Sequence, residues 1–369
     1  MNSSPLPSTL RMVAWEVTRS CNLSCIHCRA SAEKGPYAGE LSTEESKNLL
    51  EEIAAFSRPV VILTGGEPLL REDIYELAAY GDGLGLRMVL ATNGTLVTEG
   101  IARRMRESGI QRVSISLDGP DAESHDAFRQ MSGAFAGAMT GIAALKKAGM
   151  EFQVNTTITS TNRHQLSAMM DLAVRLGAAA HHIFLLVPTG RGRDLANQAI
   201  GAQDYEDTLQ AFHSASLTCP IPLKATCAPH YYRILHQKGS AGKRPSTEGH
   251  GSLHAVTRGC LGGISFCFIS HTGQVQPCGY LELNCGNIRK AGFEMIWKNA
   301  AVFQKLRNPE AFSGKCGHCE FFRVCGGCRA RAYELTGDYL AEEPFCIYEP
   351  ARKAAALPSR GETEPGSPE

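Results

Sequence analysis

Three cysteines near the start of the chain have the spacing of a metal-binding loop. Cys21, Cys25 and Cys28 are separated by three and two residues and follow an apolar run at residues 12–17. Cysteine thiolates are the usual ligands of iron–sulfur clusters. Three protein ligands to a four-iron cluster leave one iron open, and an open position on a metal centre marks a site for chemistry.

Two other interpretations of this loop remain. His27 would complete a zinc site together with the three thiols. The three cysteines would otherwise be free thiols buried in the core.

The composition limits the classes of protein to consider. The chain has 369 residues, 43% of them hydrophobic, enough for one large domain and a smaller one. Because 37 lysines and arginines balance 37 aspartates and glutamates, we expect no nucleic-acid partner. The first ten residues lack the apolar segment of a signal peptide, and no apolar run has the length of a membrane span. We therefore predict a cytoplasmic protein, in which fourteen cysteines indicate metal binding rather than disulfides.

From residue 12 to residue 187 the sequence alternates between short apolar runs and helical patterns. The apolar runs are rich in β-branched residues, as buried parallel strands are. Ser42 and Glu45 form a capping box, and Gly109, Gly149 and Gly177 follow helical patterns as stops. Six strand–helix units in series predict an α/β fold, a partial (β/α)6 TIM-like barrel. The strand candidates are residues 12–17, 60–63, 88–92, 112–117, 152–158 and 182–187.

Polar residues and glycines follow the second, third and fourth of these strands. Because the carboxyl ends of parallel strands meet at one edge of a sheet, we expect these residues and the cysteine loop to line one pocket. Paired glycines let a ligand approach the backbone, and a glutamate accepts hydrogen bonds from an amine. Taken singly, Gly-Gly and Asn-Gly pairs are more often turns. The residues are Gly65, Gly66, Glu67, Asn93, Ser116 and Asp118.

The two motifs together resemble the radical S-adenosylmethionine superfamily. The three-cysteine loop after the first strand and the Gly-Gly-Glu-Pro sequence after the second carry the resemblance, which covers residues 11–190. It implies a [4Fe–4S] cluster on Cys21, Cys25 and Cys28, whose open iron binds the amino and carboxylate groups of S-adenosylmethionine. Reduction of the cluster then yields a 5′-deoxyadenosyl radical, which abstracts a hydrogen atom from the substrate.

The resemblance also assigns roles to the residues after the strands. The methionine amino group is implied to bind Gly65, Gly66 and Glu67. The ribose or the carboxylate is implied to contact Ser116, Asn93 and Asp118. Arg129 is either a partner of the carboxylate or a surface arginine.

A second group of cysteines lies in residues 258–350. It resembles the SPASM extension, which carries two auxiliary [4Fe–4S] clusters, and zinc ribbons are the alternative. The resemblance implies a first auxiliary cluster on Cys260, Cys267, Cys278 and Cys328. It implies a second on Cys316, Cys319, Cys325 and Cys346. Here two residues stand between Cys325 and Cys328, where the family usually has three. Cys285 is left over, and Cys219 and Cys227 are predicted to be ordinary buried thiols.

These motifs give the predicted domain organisation. An N-terminal extension (1–10) precedes the barrel (11–190), and a bridging segment (191–257) leads to a small cysteine-rich α+β auxiliary-cluster domain (258–350). We expect the tail, residues 351–369, to be disordered because it is rich in proline, glycine and glutamate.

Within the superfamily, the closest resemblance is to the tetrapyrrole-modifying AhbD and NirJ group. It is carried by residues 11–32, the loop 188–193, and Arg258-Gly259-Cys260. It implies that two propionates of iron-coproporphyrin III become vinyl groups, which gives heme b, and it implies a low-potential flavodoxin or ferredoxin as electron donor. Candidate partners of the remaining propionates are Arg191, Arg193, Arg323, Arg329 and Arg331. Candidate ligands of the substrate iron are His230, His236, His250, His254 and His271.

Three alternative functions remain at this stage. A NirJ-type enzyme removes propionates during biosynthesis of the nitrite-reductase heme. A peptide or sulfatase maturase shares the same cluster arrangement, although only about ten residues precede the first strand here. An iron–sulfur electron carrier is the non-enzymatic alternative, and it has no need of an open iron beside the Gly-Gly-Glu-Pro loop.

Overall fold

One sheet of ten strands forms the centre of the molecule. The structure is a computed structural model that describes residues 4–6, 8–198, 200–239 and 258–351. The strands are β1 (Met12–Thr18), β2 (Val60–Gly65), β3 (Arg87–Thr92), β4 (Arg112–Ser116), β5 (Phe152–Ile158), β6 (His181–Leu185), β7 (Leu223–Thr226), β8 (Phe266–Ile269), β9 (Gln274–Gln276) and β10 (Gly286–Asn287). Their order in the sheet is β10-β9-β8-β1-β2-β3-β4-β5-β6-β7. Every neighbouring pair from β8 through β7 is parallel, whereas β9 and β10 add antiparallel.

The predicted partial barrel is confirmed, and β1 to β6 are the six predicted strands. The sheet also takes in β7, from the segment predicted to be a bridge, and β8, from the cysteine-rich region. β8 pairs with β1 on the side opposite to β2, with Cys267 beside Val13. Both added strands have only four residues, so neither gives a clear strand pattern in the sequence.

Twelve α-helices lie in the described ranges, and most of them pack on the outer face of the sheet. They are α1 (Thr43–Phe56), α2 (Ile74–Gly83), α3 (Glu99–Glu107), α4 (Ala122–Arg129), α5 (Ala134–Lys147), α6 (Leu166–Leu176), α7 (Ala202–Ser216), α8 (His230–Gln237), α9 (Phe293–Asn299), α10 (Ala301–Arg307), α11 (Gly314–His318) and α12 (Arg329–Thr336). The capping box of α1 is present, with Glu45 N donating to Ser42 Oγ at 3.2 Å and Ser42 N donating to Glu45 Oε2 at 2.8 Å. Gly109, Gly149 and Gly177 follow α3, α5 and α6 with positive φ, as predicted for helix stops.

The main hydrophobic core lies between the outer face of the sheet and the helices. In β1, Val13, Trp15 and Val17 are fully buried in this core, because alternate residues of a strand point to opposite faces. Trp297 of α9 joins the same core and donates its indole N–H to Ser8 O at 3.0 Å. Full burial of a large apolar side chain such as Phe293 contributes about 1.5–3 kcal/mol, so the C-terminal region is firmly packed on the barrel.

Some sequence predictions concern residues that the structure does not describe. The tail beyond Ala351, together with His250 and His254, lies outside the described residues. Within the described ranges, none of the helices combines the length and apolar character needed to cross a bilayer.

Candidate active site

The loop after β1 brings its three thiols to one side of a large cavity. Cys21 and Cys25 are buried, and Cys28 is half-buried beside them. Backbone amides point at two of the sulfurs, from Leu23 N to Cys21 Sγ and from Ala32 N to Cys28 Sγ, both at 3.4 Å. Burial raises the pKa of Cys21 to about 11, so this thiol becomes a thiolate only beside a strong positive charge such as iron. The loop therefore fits an iron–sulfur cluster.

Arg129 lies beside this loop and is not a surface residue. It is buried, its Nη2 contacts Asp118 Oδ2 at 2.5 Å, and its Nη1 is 3.6 Å from Cys25 Sγ. Burial opposes ionisation of Asp118, but Arg129 and His27 hold the pKa of that carboxyl below its ordinary value. Asp118 does not line the cavity. Its position therefore favours a role in fixing Arg129 over direct contact with a ligand.

Gly65 and Gly66 join the second strand's loop to the chain that leads into the cysteine loop. Gly66 N donates to Thr18 O at 2.9 Å, and Glu67 N donates to Ser20 O at 2.8 Å. A Cβ on Gly66 would be 2.3 Å from Ser20 O, so only glycine allows this approach. Both glycines also line the cavity. Their backbone is thus available to a ligand, and their lack of side chains positions the cysteine loop.

The Glu67 side chain points away from the cavity. Its carboxylate accepts hydrogen bonds from Leu69 N at 3.1 Å, Thr92 Oγ1 at 2.8 Å and Asn93 N at 2.8 Å. Burial raises the pKa of Glu67 to about 7, although these hydrogen bonds oppose the shift. The structure does not bring this carboxylate to the cavity surface, where a methionine amino group would bind. Glu67 instead holds the loop after β3.

Two other predicted cofactor residues do reach the cavity. Asn93 lines it and donates from Nδ2 to Asn22 Oδ1 of the cysteine loop at 2.8 Å. Ser116, at the end of β4, lines it as well. Both positions remain candidates for contact with S-adenosylmethionine.

The cavity is enclosed by the inner face of the sheet and has a volume of about 470 Å³. Its two sides differ in polarity. The side formed by β8 and β1 to β3 is mainly apolar, with Met12, Ala14, Val60, Ile62, Val89, Ala91, Phe266 and Phe268, and with Thr64 and Thr92 near the carboxyl ends of its strands. The side formed by β4 to β7 is mainly polar, with Ser114, Ser116, Gln153, Asn155, Thr157, His182, Lys224 and Thr226, and it also includes Phe184 and Ala225. Such a cavity suits a ligand that has both a large apolar surface and polar groups at its edge.

The auxiliary cysteines separate into two groups. Cys316, Cys319, Cys325 and Cys346, the predicted second set, line one small pocket together with His230. Cys260, Cys278 and Cys328 line the large cavity instead. Gly326 and Gly327, with φ values of 78° and 60°, turn the chain sharply enough to send Cys325 and Cys328 to different sites across the short spacing.

Cys267 is not brought together with the other predicted ligands. It is fully buried in the main core on the outer face of β8, whereas its neighbours Phe266 and Phe268 face the cavity. Cys227, predicted to be an ordinary buried thiol, lines the cavity with Cys260, Cys278 and Cys328.

The predicted propionate-binding arginines are held by hydrogen bonds or ion pairs within the protein, although Arg191 and Arg329 line the cavity. Arg191 lines the cavity but donates to Cys25 O at 2.9 Å and Ala32 O at 2.8 Å, which braces the cysteine loop. Arg193 is exposed and pairs with Glu334. The other three arginines also have partners within the protein. Arg323 donates to Ser4 O, and Arg331 forms an ion pair with Glu343. Arg329 donates to the carbonyl oxygens of Gly327, Tyr339 and Ala341.

Of the histidines predicted as ligands of a substrate iron, His230, His236 and His271 lie in the described ranges, and none of these three lines the large cavity. His271 is paired with Glu16 at 2.7 Å, with Arg29 on the other oxygen of that carboxylate. His236 is exposed, and His230 lines the second auxiliary pocket. The sequence analysis does not predict the polar side of the cavity. The alternation of Gln153, Asn155 and Thr157 along β5 is the pattern that indicates a polar face of this strand.

Comparison with known proteins identifies the family. A family model described as "Radical SAM superfamily" matches residues 15–173, and one described as "Iron-sulfur cluster-binding domain" (SPASM) matches residues 260–328. The AdoMet-dependent heme synthase of Oleidesulfovibrio alaskensis is 55% identical over 94% of this chain and 89% of its own length. The chain belongs to the radical SAM superfamily, in the family of the AdoMet-dependent heme synthases.

Other relatives of this radical SAM enzyme are consistent with that placement. The AdoMet-dependent heme synthase of Methanosarcina barkeri is 51% identical over 93% of this chain and 98% of its own length. The pre-heme d1 synthase of Dinoroseobacter shibae is 32% identical over 94% of this chain and 88% of its own length.

Solved structures confirm the fold. Streptococcus suis SuiB bound to precursor peptide SuiA superposes with a TM-score of 0.72 at 14% identity, over 93% of this chain and 77% of that one. The anSMEcpe structure with AdoMet and a peptide superposes with a TM-score of 0.66 at 19% identity, over 92% of this chain and 94% of that one.

The two family matches give the cofactors. The protein is a radical SAM enzyme that uses S-adenosylmethionine, a [4Fe–4S] cluster and auxiliary iron–sulfur clusters, which excludes the zinc and electron-carrier alternatives.

Proposed function

We propose that this enzyme oxidatively decarboxylates two propionates of iron-coproporphyrin III to vinyl groups and so makes heme b. One observation carries the proposal: the three-thiol loop and the auxiliary cysteines Cys278 and Cys328 line the same cavity. A substrate held there lies between a site of hydrogen abstraction and a site that takes up an electron. The names of the relatives at 51–55% identity support the tetrapyrrole assignment.

The reaction balances on this arrangement. Cys21, Cys25 and Cys28 would hold the [4Fe–4S] cluster, which with bound S-adenosylmethionine would supply the 5′-deoxyadenosyl radical that takes one hydrogen atom from the β-carbon of a propionate. The carbon–carbon bond to the carboxylate would then break, with loss of carbon dioxide, formation of the vinyl double bond and release of one electron. Cys260, Cys278 and Cys328 would help to hold the auxiliary cluster, which in its oxidised state would take up that electron. Two turnovers consume two molecules of S-adenosylmethionine for each heme.

The two-sided cavity supports a substrate of this shape. A porphyrin is a large apolar ring with carboxylates at its edge, and the cavity has an apolar side from β8 to β3 and a polar side from β4 to β7. Its volume of about 470 Å³ falls within the usual range for a small-molecule site. On the polar side, Lys224 of β7 and His182 of β6 are the candidates for binding propionates.

The chain's own residues also prepare the site for the radical step. Arg191 ties the cysteine loop to the loop after β6 through the carbonyls of Cys25 and Ala32. Arg129, fixed by Asp118, places a positive charge beside Cys25. The Arg129 contact favours the thiolate form of Cys25, and both arginines hold the loop in one geometry, which the precise placement of a radical requires.

Anaerobic incubation with mass spectrometry tests the proposal. The reduced, reconstituted enzyme and S-adenosylmethionine are offered iron-coproporphyrin III and, in parallel, the dicarboxylated precursor of the nitrite-reductase heme. We expect a product lighter by two carbon dioxide units and four hydrogens, with two equivalents of 5′-deoxyadenosine. Reaction of the second substrate alone would establish the NirJ-type alternative. Deoxyadenosine without any change in either tetrapyrrole would reject both and favour a peptide substrate.

A substitution on the polar side tests how the substrate is held. Lys224→Met is expected to raise KM for the porphyrin about tenfold or more, as expected for the loss of a charged hydrogen bond of roughly 1.5–3 kcal/mol. Lys238→Met, at the end of α8 and away from the cavity, is the matched control. Equal KM values in the two variants would exclude Lys224 as a propionate ligand.

We further propose that the enzyme works in the cytoplasm with a low-potential flavodoxin or ferredoxin as electron donor. None of the fourteen cysteines, all of which lie in the described ranges, forms a disulfide, as expected in a reducing compartment. Replacing dithionite by a reduced flavodoxin or ferredoxin in the same assay tests the donor, and absence of deoxyadenosine with either would reject it.

A further inference from the structure

Cys267 faces the wrong side of the sheet to share a cluster with Cys260, Cys278 and Cys328. β8 pairs with β1 in parallel, and the pairing places Cys267 beside Val13, whose side chain is fully buried in the core. Phe266 and Phe268, one residue to each side, line the cavity. Because successive residues of a strand point to opposite faces, the Cys267 thiol is separated from the cavity by the sheet itself. Burial and the nearby Cys285 raise the pKa of the Cys267 thiol, and Arg307 opposes this rise.

A different thiol lies with those three cysteines. Cys227 directly follows β7, at the carboxyl end of the sheet, and it lines the cavity with Cys260, Cys278 and Cys328. It also belongs to one buried cluster with Cys278 and Cys328.

The backbone holds Cys227 in an unusual conformation. Its φ is 55°, in the left-handed region that residues other than glycine rarely adopt. Such residues persist where the surrounding structure fixes them, and they are frequent at functional sites. The Cys227 carbonyl accepts a hydrogen bond from Tyr205 Oη at 3.0 Å and another from Arg331 Nη2 at 3.0 Å.

A fully buried ion pair connects Cys227 to Cys328. Arg331, which donates to the Cys227 carbonyl, pairs with Glu343 at 3.2 Å. Glu343 in turn accepts a hydrogen bond from Cys328 N at 2.7 Å. Burial of both charges is costly without such partners, and the pair thereby links the backbone of Cys227 to that of Cys328.

We propose that Cys227, and not Cys267, is the fourth thiolate ligand of the first auxiliary cluster, with Cys260, Cys278 and Cys328. The fit depends on this chain's own residues: four thiols line one cavity, and a buried network links the backbones of two of them. The segment after β7, which reads as a bridge in the sequence, is then part of the metal site. Cys267 and Cys285 are left as core thiols.

Single substitutions by alanine test the assignment with readouts that need no substrate. Cys227→Ala and its matched control Cys267→Ala are reconstituted anaerobically, and iron, sulfide and the EPR signals of the dithionite-reduced clusters are quantified. If all three sites hold four-iron clusters, the unsubstituted enzyme carries about twelve irons per chain. We expect Cys227→Ala to fall towards about eight irons and to lose one auxiliary EPR signal, with Cys267→Ala unchanged.

Several results would overturn the proposal. Loss of the signal in Cys267→Ala, alone or together with Cys227→Ala, would make Cys267 a ligand. Retention of all three clusters in both variants would exclude Cys227. Should Cys227→Ala fail to fold, Cys227→Ser keeps the volume of the side chain and must then show an altered auxiliary signal, because serine oxygen replaces sulfur. These readouts do not involve the porphyrin, so they stand or fall separately from the proposed reaction.

Discussion

Arg129 and Asp118 form a buried ion pair beside the cysteine loop that follows β1, with Arg129 Nη2 2.5 Å from Asp118 Oδ2. The other terminal nitrogen of the guanidinium, Arg129 Nη1, is 3.6 Å from Cys25 Sγ. Asp118 also accepts a hydrogen bond from Thr157 N at 2.7 Å, which links β4 to β5. The guanidinium thus connects the end of the sheet to a cluster ligand. A charge in this position balances the negative charge of thiolates.

Removing the guanidinium should destabilise the protein. Arg129→Met leaves the Asp118 carboxylate buried without its partner, which costs about 3–5 kcal/mol. Anaerobic urea unfolding followed by far-ultraviolet circular dichroism measures the loss. The double variant Asp118→Asn with Arg129→Met should recover part of it, since no charge is then unpaired. Arg103→Met, on the exposed face of α3, is the control, and an equal effect there would contradict the assigned role.

A side chain at Gly66 should disturb the first cluster and the binding of S-adenosylmethionine. A Cβ at this position would be 2.3 Å from Ser20 O and 2.5 Å from Arg19 O, so the chain leading into the cysteine loop must move. We expect Gly66→Ala to weaken S-adenosylmethionine binding about tenfold or more, equal to about 1.4 kcal/mol. Equilibrium binding and the EPR change on adding S-adenosylmethionine are the measurements. Gly83→Ala, whose Cβ meets nothing within 4 Å, is the control and should match the unsubstituted enzyme.

His181 should make the stability of the protein depend on pH. It is fully buried, and burial lowers its pKa to about 4 from an ordinary value of 6.5. Because the unfolded chain takes up this proton first, stability present above pH 6.5 is lost as the pH falls towards 4. His181→Gln keeps the hydrogen bond to Thr156 and removes the titration. Between pH 7 and pH 5.5, the free energy of unfolding measured with urea should therefore fall by about 1 kcal/mol less in the variant than in the unsubstituted enzyme. An equal fall in both proteins would refute the assignment.

His230 should tune the second auxiliary cluster. It is fully buried in the pocket lined by Cys316, Cys319, Cys325 and Cys346, and neither ring nitrogen has a hydrogen-bond partner among the described residues. Burial lowers the pKa of His230 to about 4, so the neutral ring keeps one N–H, which we expect to donate to the cluster. Such a bond stabilises the reduced, more negative state.

Replacing this donor should make the cluster harder to reduce. His230→Phe is expected to lower one auxiliary midpoint potential by about 40 mV, the one-electron equivalent of a hydrogen bond of about 1 kcal/mol. EPR-monitored redox titration measures the shift. The exposed His236 on the same helix provides the control, His236→Phe. Unchanged potentials in both variants would show that His230 makes no bond to the cluster.

Several elements could be predicted because their signals are local. The spacing of Cys21, Cys25 and Cys28 fixes which thiols can meet, since a short loop allows few separations. The capping box at Ser42 and Glu45 is likewise a contact between residues three apart. The six predicted strands are apolar runs, and parallel pairing then brings their ends together without knowledge of any side-chain contact.

Side-chain direction was not predictable in the same way. Glu67 follows a glycine pair and reads as a ligand-binding carboxylate, but its three hydrogen bonds turn it into the loop after β3. Arg129 reads either as a partner of the carboxylate or as a surface arginine, whereas in the structure it is buried and paired with Asp118, which follows β4. Two of the three hydrogen-bond partners of Glu67 lie 25 or more residues away, and the partner of Arg129 lies on another element.

The sequence by itself determined the family, the first cluster loop and the division of the chain into strand–helix units, because motif spacing and apolar periodicity are properties of neighbouring residues. Only the tertiary structure decided which cysteines share a site. Cys267 has the right spacing, yet the pairing of β8 with β1 turns it into the core. Cys227 has no motif, yet β7 delivers it to the cavity beside Cys328. The physical reason is that the face on which a strand residue lies depends on long-range pairing, which no local pattern records.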